Sequence, residues 1–289
     1  MDSPAKAVEA VIERVTAPGG CWGTDIHIER GAFDPAKLPT EQELDRMFDV
    51  SLLAWPYISV LREGSVPDVK AYTRTRNVIG HPREGFVDGT AVRKLMAQGG
   101  TVKLNRMSDW CRPVRALKDV VEAKLPVAVS TYGFLTPAGN QGMLPHRDAS
   151  HVLVLQLSHR KNWELFAHPG EVRGTAGLDV DPHDGPTHRF TLDAGDLLYL
   201  PHGWPHLART PDESSLHLTL TLTEPTAEDL LQGVLDLTAR AHAGLYRHYH
   251  ELDVPERAGR VADLLARAGE IEEGALCEAA LSSMRKMHG

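Results

Sequence analysis

The sequence predicts a mainly β domain with flanking helices, followed by a helical segment. Three observations carry that expectation. Between Val127 and Thr223, short apolar runs are separated by Gly, Pro, Asp and Asn, the texture of an all-β barrel or sandwich. Upstream, helical and strand spacings of apolar residues alternate. Downstream of Glu224-Pro225 the period becomes helical. The organisation expected is therefore a domain over 1–225, with a barrel core at 127–223 and α/β elements at 1–126, and then a helical segment over 226–289.

Taken in order, Glu41 to Leu53 places Leu44, Met47, Phe48, Leu52 and Leu53 at helical spacing behind the start signal Pro39-Thr40. Tyr57 to Leu61 and Thr101 to Leu104 read as strands, and Pro113 to Lys124 as a helix with Val114, Leu117, Val120 and Val121 on one face. In the barrel region the expected strands are Val127–Leu135, His151–Leu157, Asn162–Phe166, Asp196–Leu200 and Leu216–Leu222. Alternation along the last puts Ser215, His217, Thr219 and Thr221 on one face, a polar stripe that suits a wet, functional barrel interior. Thr226 as N-cap and Asp229 in the first turn open the next helix, whose apolar face is Leu230, Leu231, Val234, Leu235 and Leu237. A second helix is expected near Asp253-Val254-Pro255, using Val261, Leu264 and Leu265.

Composition narrows the partners. With 42% apolar and 24% charged residues, a chain of 289 residues can bury a core and carries no disorder signature. A net charge of -8 argues against an electrostatic grip on nucleic acid, which needs a basic face, and fits a basic peptide or a small molecule. No apolar stretch is long enough to cross a membrane and the first residues do not form a signal peptide, so a soluble, cytoplasmic protein is expected. Cys21, Cys111 and Cys277 are far apart and odd in number; they read as three buried thiols.

Chemistry concentrates in Pro145-His146-Arg147-Asp148 and Pro201-His202-Gly203-Trp204-Pro205-His206. In an extended His-x-Asp both side chains project from the same side, delivering one imidazole and one carboxylate together. His206, from a strand end sixty positions after His146, would complete two His and one carboxylate on a metal, leaving positions open for small ligands. His-x-acid by itself decides little, because random placement of 15 His and 39 acidic residues gives roughly two. The second instance, His27-Ile28-Glu29, reads as a solvated strand edge. Context separates them: His146 and Asp148 lead into an apolar strand, and Gly195 to Pro201 forms another that runs on to a histidine.

These motifs carry a family resemblance. Leu135 to Gly142, Pro145 to Asp148, Val152 to Leu157, Arg160 to Leu165, Gly195 to Pro201 and Ser215 to Thr219 together resemble the cupin-like JmjC oxygenases, above all their ribosomal-oxygenase branch. Thr101 to Asn105 is similar to the family's strand before the barrel. The resemblance runs from about Phe33 to Thr223 and implies a double-stranded β-helix, the cupin jelly roll.

Position by position, the resemblance places the iron ligands on His146, Asp148 and His206, with His202 as the competing ligand and His217 as a satisfied histidine of the barrel face. It places the Lys that pairs with the distal carboxylate of 2-oxoglutarate on Lys161, fifteen positions after His146. Thr221 matches a hydroxyl position near the cosubstrate. Tyr132 stands where relatives often have Asn, and Arg147 and Gln141 are expected near the substrate. The implied activity is hydroxylation with Fe(II), 2-oxoglutarate and O2, of an amino-acid side chain in a peptide or protein. A free amino acid or natural-product intermediate is the alternative substrate, and a non-enzymatic cupin binding or sensor protein the alternative class. In the family the helical segment dimerises, so a homodimer is expected; the 64 residues after Pro225 suffice for those helices and not for the winged-helix domain of the branch.

Overall fold

The computed structural model describes residues 2–50, 52–62, 65–170, 185–241 and 271–288, together with 259, 262 and 266. The helix expected near Asp253 lies outside the described residues. The chain divides into two units, Met1–Lys124 with Val129–Leu222, and Leu125–Ala128 with Thr223–Gly289.

The first unit is a double-stranded β-helix. Its larger sheet takes β1 (His27–Glu29), β2 (Ile58–Leu61), β5 (Thr101–Asn105), β6 (Ala128–Thr136), β7 (His151–Ser158), β10 (Leu197–Leu200) and β12 (Ser215–Thr223) in the order β1-β10-β7-β12-β6-β5-β2. The smaller sheet orders β8 (Arg160–Leu165), β9 (His188–Asp193) and β11 (His206–Arg209) as β11-β8-β9. A separate hairpin pairs β3 (Thr73–Val78) with β4 (His81–Val87). The expected strands appear close to their predicted limits. The edge strand β1 carries His27 and Glu29, with Glu29 bound to Arg14 at 2.6 Å.

Alternating side chains turn one half of the interior apolar. Val152, Val154, Leu198 and Leu200 from the larger sheet meet Trp163, Leu165 and Leu192 from the smaller one, and each fully buried aliphatic side chain contributes about 1.5–3 kcal/mol. The other half is polar. Ser215, His217 and Thr219 are buried and Thr221 is half-buried, so the polar stripe of β12 is present and lies inside the barrel. A bulge between Leu216 and His217 shifts the register there, and Ser215 Oγ accepts from Gln156 Nε2 at 2.8 Å.

Helices cover the outer face. In α5 (Arg112–Lys124) the residues Val114, Leu117 and Val121 are buried as their spacing predicts. Among the helices, the sequence reading did not single out α1 (Pro4–Thr16), α3 (Gly89–Ala97) or α4 (Met107–Trp110). α1 starts at Ser3 with Pro4 in its first turn and buries Val8, Val11 and Val15; α3 is capped by Asp88. The helix expected over Glu41 to Leu53 is α2 (Glu41–Val50), opened by a capping box in which Thr40 and Glu43 exchange hydrogen bonds at 2.9 and 3.2 Å. The four-residue α4 precedes α5.

In the second unit, α6 (Ala227–Ala241) begins with the expected Thr226–Asp229 box, and α7 (Glu273–His288) packs against it. Cys277 lies against a small cluster of Ala128, Leu281 and Met284. All three cysteines are half-buried, which corrects the expectation of buried thiols: each sits at the margin of packed structure, not within it. No helix among the described residues is long and apolar enough to cross a membrane.

Candidate metal centre

His146 and Asp148 lie in the extended segment between β6 and β7, and His206 opens β11. The backbones of the two histidines pair reciprocally: His146 N–H donates to the His206 carbonyl at 3.1 Å, and His206 N–H to the His146 carbonyl at 2.8 Å. Directly opposed residues in such a bridge share a face, and the rings stand 4.4 Å apart between centroids. Asp148, two residues on, returns to that face. The positive φ of Gly203, 72°, makes the turn before His206, and its N–H donates to the Asp148 carbonyl at 3.1 Å. His206 was expected at the end of a strand and instead begins one, because the turn falls before it. His146 is held by an isolated bridge to His206, and Asp148 by the Gly203 N–H on its carbonyl; Pro145, lacking an N–H, cannot extend the pairing.

One ligand atom from each of His146, Asp148 and His206 falls within 4.8 Å of the others. His206 Nε2 is 3.7 Å from Asp148 Oδ2. Both rings are oriented alike. Nδ1 of His146 lies 2.8 Å from the Leu144 carbonyl and Nδ1 of His206 lies 2.9 Å from the Trp204 carbonyl, in each case two residues back. A carbonyl only accepts, so Nδ1 carries the proton and Nε2 presents its lone pair to the shared space. Burial, reinforced by His206 and opposed by Asp148, pulls His146 down to about 4, which keeps it neutral and able to ligate. Two imidazoles turned by their Nδ1 bonds to present Nε2, with one carboxylate on the same face, suit iron(II) with open positions.

Lys161 is buried by strand alternation. Along β8, Arg160 and Asn162 face outward while Lys161, Trp163 and Leu165 face in. Its ammonium donates to Thr136 Oγ1 at 3.0 Å and to His217 Nδ1 at 2.9 Å. Thr101 bonds Thr136 in turn at 3.2 Å. Burial pulls Lys161 down to about 7, partly offset by Glu41, and holds His217 well below its usual value, assisted by Lys161 and His206. No carboxylate of the described residues forms an ion pair with Lys161. A fully buried cation resting on two neutral acceptors is matched to an incoming carboxylate. Between the two ends stands Trp163, its ring 5.7 Å from His206 and 5.8 Å from His217, with an indole N–H that is buried and has no hydrogen-bond partner.

The remaining expected residues distribute unevenly. Tyr132 and Phe134 project from β6 beneath Lys103, whose ammonium is 4.5 Å and 5.6 Å from their ring centres. Thr221 makes a long contact to the Ser130 carbonyl, at 3.5 Å. Gln141 pairs with Arg209 through the backbone, and its buried Oε1 has no hydrogen-bond partner. Arg147 is buried, and the alternation of an extended segment turns it away from the face shared by His146 and Asp148. His202 is outside the three-residue cluster; its N–H donates to His151 Nδ1 at 3.1 Å. Sequence reading did not single out Lys103, Thr101, Thr136 or Trp163. The signal was the alternation of Thr101, Lys103 and Asn105 with core Val102 and Leu104.

Comparison with known proteins fits this geometry. Residues 110–230 match the JmjC domain family. Ribosomal oxygenase 2 of Bos taurus is 28% identical over 248 residues, spanning 82% of this chain and 50% of that protein. The bifunctional lysine-specific demethylase and histidyl-hydroxylase NO66 of Dictyostelium discoideum is 33% identical over 176 residues, 58% of this chain and 34% of that one. This chain thus spans about half the length, or less, of these relatives. Among solved structures, Escherichia coli YcfD superposes with a TM-score of 0.59 at 17% identity, over 88% of this chain and 67% of its own. A structure of YcfD described as a ribosomal oxygenase in complex with cobalt and 2-oxoglutarate gives a TM-score of 0.56 at 16% identity, over 85% of this chain and 63% of that one. The fold is that of the JmjC oxygenases.

Two measurements test the centre. Loss of an outer-sphere partner typically weakens a metal site by about 10–100-fold, so His146→Ala, Asp148→Ala and His206→Ala should each lower Co(II) affinity by more than that in calorimetric titration. His202→Ala should leave it unchanged; the reverse pattern would move the site. Separately, a carboxylate seated on Lys161 raises an ammonium that titrates near 7 when free. Binding above that pH must therefore take up a proton, and 2-oxoglutarate affinity should fall by up to about tenfold per pH unit above 7. Calorimetry at pH 8 in buffers of different ionisation heat should show close to one proton taken up, and at pH 6 far less; equal uptake at both would remove Lys161 from the binding step.

Proposed function

We propose that this chain is an iron(II)- and 2-oxoglutarate-dependent hydroxylase acting on an amino-acid side chain in a peptide or protein, with residues 1–225 as the oxygenase domain. The observation that carries the reading is the pairing, inside one barrel, of a two-His, one-carboxylate cluster with a buried lysine that forms no ion pair with a carboxylate among the described residues. A metal-binding cupin without a diacid cosubstrate has no need of such a cation. His146, Asp148 and His206 would hold iron(II), and Lys161, supported by Thr136 and His217, the distal carboxylate of 2-oxoglutarate.

When bound, iron(II), 2-oxoglutarate and O2 supply the oxidising chemistry that inserts one oxygen atom into a substrate C–H bond and releases succinate and carbon dioxide. The chain's own contribution is placement. Leu144 and Trp204 carbonyls fix the ring tautomers and present Nε2. Lys161 sets the direction in which the cosubstrate enters, and the apolar wall containing Trp163 excludes water from it. We assign Thr221 and Tyr132 to the cosubstrate side of the pocket and Gln141 to its substrate side; Arg147, expected there from the sequence, is buried on the opposite face of its segment and is not assigned to the pocket. Support for a polypeptide substrate comes from the relatives, described as ribosomal oxygenases and histidyl-hydroxylases, and from the acidic charge, which favours basic partners.

Succinate formation by the Fe(II)-loaded chain should be stimulated by some member of a peptide library, with one oxygen atom added to that peptide. Lys161→Met should chiefly raise the 2-oxoglutarate concentration required. Oxygen insertion into free amino acids alone would overturn the polypeptide reading and leave the hydroxylase intact; no succinate under any condition would overturn both.

We infer in addition that the chain forms a homodimer through α6, on which Leu231 and Leu235 are 65% and 53% exposed. Light scattering at micromolar concentration should give twice the chain mass, and Leu231→Lys with Leu235→Lys should give the monomer. A monomeric wild type would overturn the inference.

A further inference from the structure

The pocket holds a second lysine. Thr101, Lys103 and Asn105 share one face of β5, with Val102 and Leu104 in the core behind them. Thr101 belongs to the Lys161 end of the pocket through its bond to Thr136. Lys103, two residues along the strand, is about 7 Å further on. Its Nζ lies 4.5 Å from the centre of the Tyr132 ring and 5.6 Å from that of Phe134, while Phe134 also stacks on His217 at 4.9 Å. The two lysines thus stand at opposite ends of one aromatic wall.

Lys103 makes no hydrogen bond or ion pair with any described residue. Its ammonium lies over Tyr132 and Phe134 of β6, the acidic group that acts on it electrostatically is Asp148, and it acts in turn on His146. Once a divalent cation sits on Asp148, the carboxylate's charge is committed and the ammonium gains no partner from it. Aromatic faces stabilise a cation by about 0.5–2 kcal/mol and leave its three N–H donors unmet. Lys103, Lys161 and the indole N–H of Trp163, which has no hydrogen-bond partner among the described residues, are all donors. A ligand rich in acceptors is the complement.

We propose that Lys103 is a second carboxylate-recognition residue, at the metal end of the pocket, holding a carboxylate beside Asp148. That carboxylate belongs either to the keto-acid end of 2-oxoglutarate or to an acidic substrate, and the inference rests on the hydroxylase reading above. If the substrate supplies it, the side chain brought to the metal is acidic, and selection follows from the cost of leaving a half-buried ammonium unpaired.

The test uses the full chain loaded with Mn(II) under nitrogen, as wild type, Lys103→Met, Lys103→Arg and Lys161→Met, with thermal unfolding as the check on folding. Each is titrated calorimetrically with 2-oxoglutarate and then, at saturation, with an N-acetylated Gly-Asp-Gly amide and its Asn counterpart. If the cosubstrate supplies the carboxylate, Lys103→Met weakens 2-oxoglutarate binding by about tenfold or more, and Lys103→Arg recovers most of the loss. If the substrate supplies it, 2-oxoglutarate binding is unchanged while the Asp peptide binds wild type, in preference to the Asn peptide, and fails to bind Lys103→Met. Unchanged binding of both ligands in a folded Lys103→Met overturns the proposal. Wild type that binds no 2-oxoglutarate, or Lys161→Met that binds it as wild type does, defeats the underlying hydroxylase reading instead.

Discussion

The reciprocal backbone pair between His146 and His206 is the constraint on which the centre depends. Sixty residues of chain separate the two, and closing so long a loop costs entropy that a single bridge would not offset. The barrel meets that cost elsewhere: β7 pairs with β10 and β12, and β8 with β9 and β11, so the segments carrying the ligands already face each other. The bridge then has only to fix register. A slip of one residue would turn an imidazole to the opposite face, and the Gly203 N–H, bonded to the Asp148 carbonyl, ties the third ligand to the same register.

Register alone does not make ligands. An imidazole free to rotate presents either nitrogen, and here each ring is locked by the carbonyl two residues before it, Leu144 for His146 and Trp204 for His206. The same local device is used twice on strands of opposite direction. It needs an extended backbone at both places, and prolines supply that at the intervening positions: Pro145 precedes His146 and Pro205 precedes His206. The Pro145-His146 and Pro205-His206 dipeptides are thus explained by tautomer control as much as by turn formation.

This accounts for what could be read in advance. That His146, Asp148 and His206 gather in one place was legible because spacing and strand alternation are sequence properties, and β6, β7, β8, β10 and β12 were legible because their faces are apolar. The β3–β4 hairpin was not, since Thr73 to Val78 is polar and largely exposed, and its turn at Ile79-Gly80 lacks the usual Asn-Gly or Asp-Gly signal. β11 is four residues long and opens on a metal-cluster histidine, so the hydrophobic period never declares it. Lys103 escaped for a related reason: one lysine in a short strand reads as its solvated face, and only the placement of Tyr132 and Phe134 beneath it and Asp148 near it shows which way that face looks.

The division of the interior into apolar and polar halves sets a conflict between stability and binding. Val152, Val154, Leu165 and Leu198 stabilise the fold by removal from water, whereas Lys161 opposes it, because a buried ammonium on neutral acceptors recovers only part of its hydration. The neutral state of His217 is a consequence of the same placement: a proton on Nδ1 would remove the acceptor that Lys161 uses. Replacing Lys161 with an apolar residue of similar length would relieve the strain on the fold, as replacing buried charges often does. A residue that costs the empty barrel stability is retained where a ligand supplies the missing charge, and any species that binds the folded chain alone draws the folding equilibrium toward itself. The buried cation therefore couples the stability of this half of the barrel to the presence of a carboxylate, which the apolar half, complete in its own packing, does not require.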